Sequence, residues 1–279
     1  MLTVAQHPPA TLHRIWWCTT GPLTFLPIHA AGIYHGGLSE TISEFAISSY
    51  IPNVTILTDK MKQKTVATPN NLLLVSQTDA PQQNLPSIPG TDEETELIST
   101  FVKGVGIGSL RLAGVDATTI KVKEQMDLYS SIHLACHGRQ EREFPLKSCF
   151  YLGDGQLELS EIMQHQLPNA DLAFLSACQT GTGDLSLSEE AVHLAAGMLA
   201  AGYRSVVATM WSIDDSYGPH IAQQFYQFLL RDRTGNGVPS LNGANAATAL
   251  HLAAQYLRKQ VGDTEIGFSK WVPYVHLGM

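Results

Sequence analysis

The sequence predicts an α/β fold: a mostly parallel central sheet with helices on both faces. Short, continuous apolar runs recur at Asn71–Ser76, Ser131–Gly138, Asp171–Cys178 and Ser205–Trp211, as expected of strands covered on both sides. Between them lie stretches with helix-start signals and helical spacing of apolar residues. Two of the runs end on a reactive residue, His137 and Cys178, each followed by a glycine-bearing loop. The carboxyl ends of strands are where open α/β sheets hold their ligands.

Taken in order, Arg14–Thr20 is rich in aromatic and β-branched residues and stops at Gly21-Pro22, which suits a first strand with at least one of Trp16 and Trp17 in the core. Pro22–Tyr34 reads as a turn or short helix, Ser39 as the cap of a helix through Ser49, and Val54–Leu57 as an edge strand. Asn71–Ser76 is a central strand, and Thr78–Pro89, with its three prolines, an exposed loop. Thr91-Asp-Glu-Glu94 is a capping-box signature opening a helix to Lys103. Leu110–Ala113 is a short strand, and Asp116-Ala-Thr-Thr119 opens a helix over Ile120–Tyr129.

After the His137 strand, Asp154-Gly155 between Cys149–Leu152 and Gln156–Leu159 is a hairpin signal, with a short helix starting near Ser160. Beyond Gly183, Ser186-x-x-Glu189 opens a helix that stacks Val192, Ala195, Ala196 and Leu199 and stops at Gly202. Ser205–Trp211 is a strand, Pro219–Leu230 an amphipathic helix, Thr234–Gly243 a loop, and Asn245–Gln260 a last helix before Trp271–Val275.

The chain has 279 residues, 44% of them hydrophobic and 15% charged, enough for one substantial core, so residues 1–279 read as a single domain. A net charge of −8 argues against a phosphate-backbone partner, and Lys121/Lys123 and Arg231/Arg233 are isolated basic pairs, so no nucleic acid is expected. No run approaches a membrane span, and the N-terminus lacks the layout of a signal peptide, so a cytoplasmic protein without a membrane partner is expected. Cys18, Cys136, Cys149 and Cys178 show neither zinc spacing nor a disulfide framework, which leaves free thiols and no metal.

A histidine after an apolar strand is more often a satisfied core residue than a catalyst. Here His137 is the last residue of its strand, alternation turns Cys136 to the other face, and Gly138 follows, a residue whose amide a substrate carbonyl can approach closely. His133 shares the face of His137 but sits deeper, and reads as structural. Unpaired cysteines are usually buried, but Cys178 runs into Gln-Thr-Gly-Thr-Gly183, a loop matching neither phosphate-binding glycine motif. Together the pair permits thiol catalysis: His137 shares the Cys178 proton, the thiolate attacks a peptide carbonyl, and the amides of Gly138 and Cys178 are the natural oxyanion donors. The residue that orients the imidazole is not legible in the sequence.

These residues resemble a known family. His137-Gly138 and Ala177-Cys178-Gln179-Thr180-Gly181 are similar to the paired motifs of CHAT domains in the caspase–separase clan, and the likeness continues through Gly202–Trp211, Asp214-Asp215, Gly21–Ala31 and Trp271–Gly278. The resemblance implies a caspase-like three-layer sandwich and a cysteine endopeptidase with a His137/Cys178 dyad and no cofactor. It also implies an upstream sensor or TPR module, the chain being an effector domain excised from a longer protein. A protein substrate, on the analogy of relatives a gasdermin-like partner in regulated cell death, follows from the likeness alone. Trp211–Asp215 resembles the acidic pocket segment of separase-like enzymes, which implies that Asp214 or Asp215 binds an Arg or Lys before the scissile bond. The plain reading of the two aspartates is a cap on the Pro219 helix. The rival to an enzyme is a catalytically silent caspase-like module that binds a partner through the hairpin and the charged loop after His137.

Overall fold

The computed structural model describes residues 12–35, 38–62, 69–80, 85–141, 143–165, 167–176, 191–213, 217–231 and 239–279. Strand β1 (His13–Trp17) leads through two 3-10 turns to a small hairpin, β2 (Gly32–His35) and β3 (Leu38–Thr41). A single helical turn, α1 (Ile42–Phe45), precedes β4 (Ala46–Tyr50), so the helix expected from Ser39 to Ser49 is mostly strand. Val54–Leu57, expected as an edge strand, instead begins helix α2 (Val54–Lys62). Its start is capped by Asn53, whose Oδ1 accepts from the amide of Ile56 at 2.8 Å.

The expected alternation then follows: β5 (Asn71–Ser76), α3 (Gly90–Gly104), β6 (Gly108–Ala113), α4 (Thr119–Met126) and β7 (Ser131–Ala135). The cap of α4 is Thr118, whose hydroxyl accepts from the amide of Lys121. Three short strands, β8 (Gly138–Arg139), β9 (Cys149–Tyr151) and β10 (Gln156–Glu158), form a separate small sheet that includes the expected hairpin. Helix α5 (Leu159–Gln164) leads to β11 (Leu172–Leu175), α6 (Ala191–Ala200), β12 (Ser205–Thr209), α7 (Gly218–Leu229), α8 (Ala246–Val261), α9 (Glu265–Trp271) and β13 (Tyr274–Gly278).

The large sheet has the order β1-β4-β13-β12-β11-β7-β5-β6. Among the described residues its neighbours run parallel except at the β12–β13 junction. The expected architecture, a mostly parallel sheet between helical layers, is the one found. Strand alternation divides the core in two. Leu73, Val75, Ile132, Leu134, Ala173, Leu175 and Val206 pack with α4, α5 and α6. Leu72, Leu74, Leu172, Phe174 and Val207 pack with α3, α7 and α8. Among the described residues no helix is long and apolar enough to cross a membrane.

Candidate active site

The five strands β5, β6, β7, β11 and β12 share one direction, so their carboxyl ends form one rim. His137 stands there, two residues past β7 and fully buried. Its main chain joins two sheets. The His137 carbonyl accepts from the Tyr151 amide at 2.9 Å, and Gly138 lies directly opposite Phe150. In antiparallel pairing that combination makes Gly138 and Phe150 a non-hydrogen-bonded pair, so the Gly138 amide points away from β9.

The His137 ring is held from the loop before α3. Its Nε2 lies 2.9 Å from the carbonyl oxygen of Pro86. A carbonyl can only accept, so Nε2 carries a proton and donates it to Pro86. Pro86 is therefore the orienting group that sequence reasoning missed. A backbone carbonyl belongs to every residue type, so no side-chain pattern announces it.

Cys178, Asp214 and Asp215 lie outside the described residues, and with them the fate of the dyad, of one oxyanion donor and of the acidic pocket. The strands leading to them are described. Strand β11 pairs with β7 in parallel, Leu175 opposite Leu134, a stagger of 41 (175 − 134). The separation of Cys178 from His137 in sequence is the same 41 (178 − 137). Beyond β11 the Ser176 amide still donates to Leu134 O at 2.9 Å.

Beneath the rim, on the α3/α7 face, lies a buried polar group. Glu94 of α3 is 2% exposed. Its Oε1 is 2.9 Å from His133 Nε2, a contact off the line of a well-formed hydrogen bond, and its Oε2 accepts from Ser176 Oγ at 2.9 Å. His133 also stacks on Phe174, ring centroids 4.7 Å apart, and its Nδ1 is 3.3 Å from the Tyr226 hydroxyl. Burial, and then the Glu94 charge, hold the Tyr226 phenol well above its ordinary range, so it stays protonated. His133 is thus fully buried, as expected. Its partner is a surprise: Glu94 was read as part of a capping box, yet Thr91 Oγ1 turns back to Ile88 O at 2.8 Å instead.

The other described thiols are poor nucleophiles or lie elsewhere. Burial pushes the Cys136 thiol up strongly, with the neighbouring Cys149 adding to it. Cys149 is raised too, chiefly by burial. Cys18 is exposed, just past the end of β1. Among the described residues no cluster of His, Cys, Asp and Glu could hold a metal ion.

The CHAT domain family model matches residues 2–279, nearly the whole chain. This chain belongs to the CHAT domain family. No curated protein matches the CHAT chain in sequence. Its fold is similar to that of the Arg-specific cysteine proteinase gingipain R, with a TM-score of 0.55 at 11% identity over 83% of this chain and 53% of that one. A structure of the Porphyromonas gingivalis gingipain pro- and mature domains gives 0.51 at 11% identity over 83% of this chain and 54% of that one. The Saccharomyces cerevisiae separase of a separase–securin complex gives 0.54 at 12% identity, over 85% of this chain and 14% of that one. The CHAT chain therefore spans about half of the gingipain chain and a small part of the separase chain. At these identities the likeness concerns the fold, which is that of the caspase-like cysteine proteases.

Proposed function

We propose that this CHAT domain is a cysteine endopeptidase in which His137 is the base and Cys178 the nucleophile. One observation carries the reading. The stagger that pairs β11 with β7 is the spacing that separates the two residues, and Phe174, Ser176 and Cys178 fall at alternate positions, the face His133 and His137 share. Continued in register, the two strands bring thiol and imidazole side by side at the rim.

The chemistry runs through the other ring nitrogen. Nδ1 takes the Cys178 proton while Pro86 O holds Nε2–H, and the thiolate attacks the carbonyl carbon of a peptide. Charge gathers on the carbonyl oxygen, where the amides of Gly138 and Cys178 donate; one such donor is worth about 2.7–4 kcal/mol. The Nδ1 proton passes to the leaving amine, a thioester remains, and water clears it with Nδ1 as base. Cleavage after Arg or Lys is proposed from Asp214 and Asp215, and the Arg specificity of gingipain R supports the Arg half of it. The substrate is taken to be a protein, with a gasdermin-like partner, regulated cell death and an upstream sensor module as the setting in a longer cytoplasmic protein.

The test is mass spectrometry of a peptide library incubated with the wild type, Cys178→Ala and His137→Ala. Cleavage after basic residues by the wild type alone is expected. Unchanged cleavage by either variant ends the dyad, and a preference for Asp before the cut ends the basic pocket. Selective labelling of Cys178 by a peptidyl electrophile, sparing Cys18, is the companion result; labelling of Cys18 alone favours the silent module.

A further inference from the structure

We infer that Glu94 is a positioning residue for the peptidase centre, a buried carboxylate that ties the strand leading to His137 to the strand leading to Cys178. The inference rests on the proposed dyad and adds to it a support that neither motif contains.

The two carboxylate oxygens divide their partners. Oε1 faces His133, four residues before His137, and Oε2 takes the Ser176 hydroxyl proton, two residues before Cys178. The bracket thus spans neighbouring strands at the point where their ladder ends, since β7 stops at Ala135 and β11 at Leu175. There the last backbone bond, from the Ser176 amide to Leu134 O, is reinforced by a side chain. Glu94 also rides on α3, whose leading loop delivers the Pro86 carbonyl to His137. On the fourth side, α7 begins against it. A Cβ on Gly218 would stand 2.9 Å from Glu94 Oε2, so a glycine there lets the helix approach the carboxylate. Gly218 follows the Asp214-Asp215 segment by three residues.

A carboxyl group this deep is costly to bury, and only its Oε2 makes a well-formed hydrogen bond. An apolar residue would fill the same space with less penalty, so a purely structural role gives no reason for a carboxyl group here. A contact shared between the two strands does, because thiol and imidazole must meet within hydrogen-bond reach and small displacements lose rate.

The experiment is a double-mutant cycle on Glu94→Gln and Ser176→Ala in the full chain, reading kcat and KM on a peptide cleaved by the wild type and, separately, the rate of Cys178 alkylation by chloroacetamide. Thermal unfolding identifies the folded variants. The expected result is a kcat loss of about tenfold or more in each single variant with KM within about twofold, and a double variant no worse than the weaker single, because both changes cut the same bridge. Wild-type kcat in a folded single variant, or losses that multiply in the double, overturns the inference. If Glu94→Gln does not fold, Ser176→Ala decides alone by the same kcat criterion. If the wild type cleaves no peptide, the peptidase reading fails while the bracket is still read from alkylation: slowed in both variants supports it, unchanged rates overturn it.

Discussion

Two buried histidines sit level with each other in the same sheet, joined in one row through Phe174 and Val207, and their partners lie in opposite directions. Toward the upper rim His133 meets a carboxylate that also holds Ser176. Toward the lower rim His276 Nε2 is 2.7 Å from Ser205 Oγ, and that hydroxyl also lies 2.7 Å from Gly243 O and 2.8 Å from Met279 O. One hydroxyl proton can satisfy only one carbonyl, so Nε2–H donates to Ser205 and Nδ1 accepts. Its donors are Ser49 at 3.0 Å and Arg14 at 3.3 Å. Burial, and then the Arg14 charge, push His276 well below its ordinary pKa, so it stays neutral. The lower cluster fastens chain ends and loops to β12 with neutral groups and one guanidinium. The upper one places a carboxyl group under the strand ends that lead to His137 and Cys178. Residue type alone does not separate support from chemistry; the partner and the direction of the strands do.

Breaking the upper rim at its tip has the largest effect. His137→Ala is expected to lower kcat/KM on a peptide substrate by about 10³-fold or more per folded molecule, read by initial rates. Removing what lies between the rims comes next. Phe174 is fully buried against His133, Phe225 and Tyr226, and Phe174→Ala is expected to cost about 3–5 kcal/mol of stability by urea denaturation. Breaking the lower rim with His276→Ala leaves Ser205, Ser49 and Arg14 short of a partner. A loss of about 1–3 kcal/mol is expected, with kcat per folded molecule unchanged.

Acid sharpens the contrast. His29 is pushed down to about 4, chiefly by burial, and His251 and His276 are lowered by burial as well. The unfolded chain binds protons at these positions near the ordinary value of 6.5 while the folded chain does not, so stability falls as pH drops below about 6.5 and keeps falling toward the folded-state values. A melting temperature that rises between pH 7 and pH 5 would contradict this. The smallest effect belongs to neither rim. Arg111 pairs with the half-exposed Asp92 at the edge strand β6, and Arg111→Ala is expected to cost less than about 1 kcal/mol by the same denaturation, an effect that salt reduces.

Much of the fold was legible because the inner strands of the parallel block are apolar on both faces. Asn71–Ser76, Ser131–Ala135 and Ser205–Thr209 need no outside partner to be recognised. The β4 segment was not legible. Ser48 and Ser49 look polar and exposed in sequence, but Ser48 accepts from the Trp17 indole at 3.0 Å and Ser49 from Arg14 at 2.9 Å. Those partners are 31 and 35 positions away, beyond any local pattern. Val54–Leu57 misled through its β-branched residues, whereas Asn53 ahead of it was a cap signal in plain view. At the site, His137 and its place at a strand end could be read from glycine and alternation. Pro86 acts through its backbone and Glu94 through a tertiary contact 39 residues from His133, so neither leaves a mark that spacing rules detect.

The position of His137 at the seam of two sheets has a mechanical consequence. Its ring is anchored to a loop and its own carbonyl to the neighbouring hairpin, so backbone and side chain are fastened to different elements and turning the imidazole means letting go of Pro86. On the proposed mechanism the base is then a fixed post, and the incoming polypeptide must fit itself to the histidine rather than the reverse.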